Sequence, residues 1–233
     1  MRRFLRKVVA FSVVSMTVLT AVSAQDEQVE LTKEFKSPEG YTIYVPETWS
    51  EIPKEVLEEL AGKLNRNLPP EQQLRYSCGF RESDASDWAA RPNVAVQVLK
   101  IGRIPEASLR NLGVFRSGAE DGMKRALTAS EVQVNAAAVG VPMYEEKYDV
   151  IWTEMVLTAG QGIKVTTLLG MRLTSEGGVN IACTCLDKDV ERTRSLFESI
   201  VRKVAIDRPL QYRNAVNTGP IRVTDSAEFR FSY

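Results

Sequence analysis

The chain contains no histidine. That absence removes Ser-His-Asp and Cys-His catalysis, His-ligated zinc and imidazole pH switching. Cysteine is scarce: Cys78, Cys183 and Cys185 are the only three. Charge of one sign is missing too, since 30 Lys and Arg face 30 Asp and Glu. No global field therefore draws the protein to nucleic acid or acidic lipid. What is present is ordinary globular material. At 44% hydrophobic the chain is too apolar to be disordered, and at 26% charged it is too polar for a polytopic membrane protein. Its 233 residues suit one domain, or a domain with a tail.

The N-terminus reads as an address. Arg2, Arg3, Arg6 and Lys7 precede an apolar or small stretch, Val8–Val22, and no charge follows until Asp26. Val22-Ser23-Ala24 has the small-x-small form that signal peptidase reads. Together these predict a secretory signal peptide over residues 1–24, cleaved between Ala24 and Gln25. Cleavage leaves 26 basic residues facing 30 acidic, a net of −4. The competing reading is an uncleaved anchor helix, weakened by Ser12, Ser15, Thr17 and Thr20 within the run. Membrane association is expected only in that case.

The body alternates between periods. Phe35–Lys36, the turn Ser37-Pro38-Glu39-Gly40 and Tyr41–Val45 predict a hairpin, which Pro46 stops. A helix is expected from Pro53, capped from Ser50, with Ile52, Val56, Leu57, Leu60, Ala61 and Leu64 on one face. Leu74, Tyr76, Cys78 and Phe80 alternate as a strand, and Val94, Val96 and Val98 as the next. Glu106–Leu127 predicts a second helical segment, broken or closely packed at Gly113, Gly118 and Gly122. Val132–Ala136 begins another strand, and Met143–Thr158 reads as one long extended stretch. Two glycine turns then lead into Ile163–Thr174 and Val179–Leu186. Asp187 or Asp189 should cap a last helix with Val190, Phe197, Ile200, Val201 and Val204 inward. Hairpin connections imply a mainly antiparallel sheet covered by about three helices, an α+β class. Val56, Leu60, Phe197, Ile200 and Val201 are expected on one sheet face with Val165, Leu169, Ile181 and Cys183. The domain is expected over residues 25–206, with a tail over 207–233.

Gly40-Tyr41-Thr42-Ile43-Tyr44-Val45-Pro46-Glu47-Thr48-Trp49 and the closing Phe197-Glu198-Ser199-Ile200 carry a resemblance. They resemble the opening and final helix of the PsbP/Mog-like family, including its DcrB-type secreted bacterial members, over about residues 33–204. The resemblance implies a non-enzymatic assembly factor, extrinsic subunit or partner-binding protein. The histidine-containing metal sites of PsbP have no counterpart in this chain.

Four features compete for chemistry. A bridge from Cys78 to Cys183 or Cys185 fits an oxidising compartment, and three buried thiols acting as small hydrophobes fit the apolar faces. A Cys183-x-Cys185 zinc site is disfavoured without histidine. Glu82-Ser83-Asp84-Ala85-Ser86-Asp87-Trp88 is an oxygen-rich loop whose spacing is not that of an EF-hand. Its Asp84, Asp87 and Trp88 are the first candidates for partner contact. Ser117–Gly122 lacks the Gly-Lys-Ser/Thr ending of a phosphate loop. Phe229-Arg230-Phe231-Ser232-Tyr233 alternates like a strand able to add to a partner's sheet edge, and the competing reading is a tail that is flexible or packs on its own domain. The sequence thus predicts a secreted or periplasmic, non-catalytic binding or assembly protein with no cofactor and no metal. Its expected partner is a protein or cell-envelope component. An envelope-tethered protein and a carboxylate-based hydrolase are the alternatives.

Overall fold

In the computed structural model the described residues are 30–65, 73–82, 91–129, 134–159 and 162–214. Among the described residues, two antiparallel sheets and four α-helices form an α+β fold. The chain opens with β1 (Leu31–Ser37) and β2 (Tyr41–Pro46), paired from Ser37↔Tyr41 outward. Gly40 closes the turn with φ 87°, a conformation glycine adopts freely, and its N–H donates to the Ser37 carbonyl at 3.3 Å. A two-residue strand, β11 (Ala205–Ile206), completes a small three-stranded sheet beside β2.

The larger sheet runs β3 (Trp49–Glu51), β4 (Cys78–Glu82), β5 (Asn93–Leu99), β10 (Gly177–Leu186), β9 (Lys164–Thr174), β8 (Val150–Ala159), β6 (Val134–Val139). An eighth strand, β7 (Met143–Glu145), also pairs with β8. Along β10, Val179, Ile181, Cys183 and Cys185 are buried on the front face. Register carries that face to Val94 and Val96 on β5, then to Phe80 and Cys78 on β4. The same face continues onto Leu168 and Gly170 of β9.

The front is covered by α4 (Val190–Lys203) and the small sheet. Thr193, Phe197, Ile200 and Val201 are the buried side of α4, at the i, i+4, i+7, i+8 spacing of one helical stripe. Each fully buried aliphatic or Phe side chain is worth roughly 1.5–3 kcal/mol of transfer free energy. Val201 sits over Gly170, where an added Cβ would lie 2.5 Å from its Cγ1. The small sheet lies over β4 and β5. Tyr41 reaches Ser77 Oγ at 2.9 Å and Cys78 Sγ at 3.3 Å, and Phe35 meets Phe80 edge to face.

The back carries α1 (Lys54–Asn65), α2 (Glu106–Leu109) and α3 (Gly113–Ala129). Leu57 and Ile52 lie against Gly79, on the side of β4 opposite Cys78 and Phe80. Ile104, Leu109 and Phe115 pack with Ile151, Met171 and Leu173. Ala119 and Met123 pack with Val139.

Several sequence expectations need correction. Helices flank both faces, so α1, with Val56 and Leu60, is on the side opposite α4. Val165 and Leu169 also face backward, because Leu168, and not Leu169, is the register partner of Cys183. Ser50 does not cap α1. It lies in β3 opposite Arg81. Neither Asp187 nor Asp189 makes a capping bond to α4; Asp187 accepts from Thr166 Oγ1 at 3.1 Å instead. Leu74 and Tyr76 precede the strand and do not belong to it, and Asn65 clamps Leu74 through both main-chain groups. The stretch from Met143 folds back on itself. A 3-10 turn, Glu146–Tyr148, and left-handed Asp149 (φ 50°) separate β7 from β8. The second helical segment breaks at Arg110–Leu112, ahead of Gly113.

Residues 207–214 of the expected tail pack on the domain. Tyr212 is buried and donates to the Ile104 carbonyl at 2.7 Å, and Gln211 bridges to Thr174.

Candidate functional site

Asp84, Asp87 and Trp88 lie outside the described residues, as do Ala24 and Gln25. The structure does show the frame from which the acidic, Trp-bearing connection leaves. Glu82 ends β4 and Arg91 precedes β5, and the Glu82 N–H donates to the Pro92 carbonyl at 3.1 Å. Asn93 Nδ2 donates to the Arg91 carbonyl at 3.0 Å. Across the front face, Arg192 Nη1 reaches Glu82 Oε1 at 3.3 Å, and its Nη2 stands 3.6 Å from Asp189. The connection is thus rooted beside the first turn of α4.

Cys183 and Cys185 lie under that same turn. With Thr166, Leu168, Val190, Thr193, Arg194 and Phe197 they line a cavity of about 10 Å³. That is barely room for one water. Thr193 Oγ1 donates to the Asp189 carbonyl at 2.8 Å and stands 3.4 Å from Cys185 Sγ. All three cysteines are free and buried. Cys78 shares the front face with the β10 thiols, but β5 runs between β4 and β10. Two inter-strand steps are about 9.6 Å, beyond the roughly 7 Å Cα limit of a disulfide. Adjacent same-face positions on one strand are about 6.6 Å apart and point in parallel. The arrangement therefore favours buried thiols over the bridge. Burial pushes the Cys78 thiol up to about 12, and pushes Cys183 and Cys185 upward as well. Protonated thiols are poor nucleophiles and poor metal ligands.

A second polar cluster, not foreseen from the sequence, occupies the other end of the front face. Glu145 of β7 accepts from Trp152 Nε1 at 2.8 Å and from Arg202 Nε at 3.0 and 3.2 Å. Burial alone would raise the Glu145 carboxyl, but these two donors outweigh it and hold it low. Arg202 also pairs with Glu198 at 2.9 Å and stacks near Tyr148 and Trp152. Arg172 donates to the Arg202 carbonyl at 3.2 Å, and its buried Nε has no partner among the described residues. Burial lowers its pKa. Around the corner, left-handed Asp149 accepts from Tyr144 at 2.8 Å and from Arg213 Nε at 2.9 and 3.1 Å. Within this cluster the Trp152–Glu145 and Tyr144–Asp149 bonds are local, while Arg202–Glu145, Arg172–Arg202 and Arg213–Asp149 join elements distant in the chain.

No family model matches the chain, and no curated protein does. Among solved structures it is similar to cyanobacterial PsbP (CyanoP) from Synechocystis sp. PCC 6803. The identity is 14%, the TM-score 0.43, and the match covers 75% of this chain and 91% of that one.

The described residues hold no group of three or more His, Cys, Asp or Glu able to take a metal. No helix among them is long and apolar enough to cross a membrane. Among the described residues, the Glu59 carboxyl is lowered by its hydrogen bond from Lys63, and the Glu145 carboxyl is held low as described above. Ion pairs join neighbouring elements in both clusters, Glu82 with Arg192 in one and Glu145 with Arg202 in the other.

Proposed function

We propose that the chain is an exported, non-catalytic binding or assembly-type protein of PsbP/Mog-like character. In this reading it engages a protein or cell-envelope partner through the connection that carries Asp84, Asp87 and Trp88. The observation that supports it is the double pinning of that connection's base, by the Glu82–Pro92 hydrogen bond and the Glu82–Arg192 ion pair. A loop rooted on a fixed frame loses less conformational freedom on binding than an untethered one. Loops longer than a hairpin needs are more often functional. An exposed Trp removes much apolar area from water at low entropic cost.

The deciding experiment compares Trp88→Ala with the unaltered chain. The unfolding midpoint should stay within about 0.5 kcal/mol, as for surface changes. Partners recovered with the unaltered chain from the native envelope fraction should be lost with the variant. A loss of stability of several kcal/mol would make Trp88 a packing residue of the sheet edge and end the proposal. Unchanged recovery by a stable variant would end it equally.

A further inference from the structure

Residues 207–214 leave β11 and tie together four connections at one end of the molecule. The Asp207 N–H donates to the Gly40 carbonyl of the β1–β2 turn at 2.9 Å, and Leu210 rests on Gly40. The Ser175 N–H of the β9–β10 turn donates to the Leu210 carbonyl at 2.8 Å. Tyr212 enters a socket beyond the end of β5, in one buried cluster with Ile104, Leu109, Phe115 and Leu173. Arg213 reaches Asp149 and the Glu146 carbonyl, between β7 and β8.

The socket is specific at three points. The buried Ile104 carbonyl accepts from the Tyr212 hydroxyl at 2.7 Å, a bond that a phenylalanine in the same place would leave unmade. Over the ring stands the Arg103 guanidinium, 4.4 Å from its centroid, with Nε 3.4 Å from the Tyr212 carbonyl. At the solvent side Asp149 takes the next side chain, that of Arg213, at 2.9 and 3.1 Å. These groups together select a tyrosine followed by an arginine. The strap that fills the site is lightly held. Tyr212 is the one buried residue in 207–213, and the strap joins the large sheet by a single bridge, Gln211 to Thr174. Segments with few buried apolar contacts open below the global unfolding free energy.

We propose that residues 207–214 form a detachable latch over a peptide-recognition site, and that an extended partner segment carrying Tyr-Arg takes the place of Tyr212 and Arg213 when the latch opens. The chain's own strap shows the chemistry of that ligand. As a tethered competitor it also holds the site shut against weak ligands, since a short tether supplies an effective concentration on the order of millimolar. The site lies at the opposite end of β5 from the connection that begins at Glu82, so it is a second surface and not part of that one.

The probe is a synthetic peptide with the sequence of residues 208–214. It is titrated against the full chain and against a full-length Tyr212→Ala, Arg213→Ala variant, which empties the site without shortening the chain. The variant should bind the probe at least tenfold tighter than the unaltered chain, and Tyr212→Ala in the probe should remove that binding. A folded variant that binds no tighter, or that binds both probes equally, overturns the proposal. Amide exchange of the unaltered chain tests the latch without any substitution. The Ser175, Asp207 and Leu210 amides, all bonded within or to the strap, should exchange together and at least tenfold faster than those of Val96 and Ile181 in the sheet. Strap amides that exchange only as slowly as these two overturn the proposal, whether or not the variant folds.

Discussion

Cys78 lies beneath the Tyr41 hydroxyl, and burial lifts its thiol to about 12 from an ordinary 9. The consequence for stability has a definite sign. Below pH 9 the thiol is neutral in both folded and unfolded chains, so its burial is fully favourable. Between pH 9 and about 12 the unfolded thiol ionises while the folded one does not. Stability is lost across that window, by about 1.4 kcal/mol per pH unit for a fully differing group. Tyr144, also raised to about 12 by burial and then by Asp149, acts with the same sign from pH 10 upward. Denaturant midpoints measured from pH 7 to 11 should be level at first and then fall. Cys78→Ala should lower the level portion, by opening a cavity, and make the fall shallower, leaving the share that Cys183, Cys185 and Tyr144 contribute with the same sign. An equally steep fall in the variant would place its origin elsewhere.

The contact of α4 with β9 depends on Gly170, the one position where Val201 and Trp152 leave no space for a Cβ. Gly170→Ala should lift α4 and cost about 1–3 kcal/mol, as overpacking does. Adding Val201→Ala should recover part of the loss, a non-additivity that a double-mutant cycle in urea would read. Full additivity would mean that the two residues do not touch. The elements themselves were largely legible. Pro38-Glu39-Gly40 and Gly177-Gly178 mark turns by backbone chemistry, and α4 shows a clean 3.6-residue stripe. Faces were less legible. In β9 the adjacent Leu168 and Leu169 are both buried, one toward α4 and one backward. A strand covered on both sides offers no alternation to choose between. The three residues of β3 are too few to show a period, and left-handed Asp149 breaks the Met143–Thr158 stretch without a glycine to announce it. Of the candidate site, the thiols were placed on their correct strand faces. The Glu145–Arg202 pairing was not legible, since 57 residues separate its members.

At the scale of the molecule, the N-terminal reading makes its own prediction. Sequencing the protein from an extracytoplasmic fraction should begin at Gln25, and a chain that keeps Met1 in the membrane would establish the anchor in its place. The seam of the large sheet bears on how such a chain reaches its fold. β10 joins β5, whose strand ends at Leu99, to β9, which begins at Lys164. The half-sheets β3–β5 and β6–β9 have no common edge until β10 lies between them. Pairings across so many intervening residues close slowly. A ribosome must therefore deliver nearly the whole domain before the core on the front face can form. Until Leu186 and α4 emerge, the nascent chain is two unfinished sheets, still loose enough to be threaded.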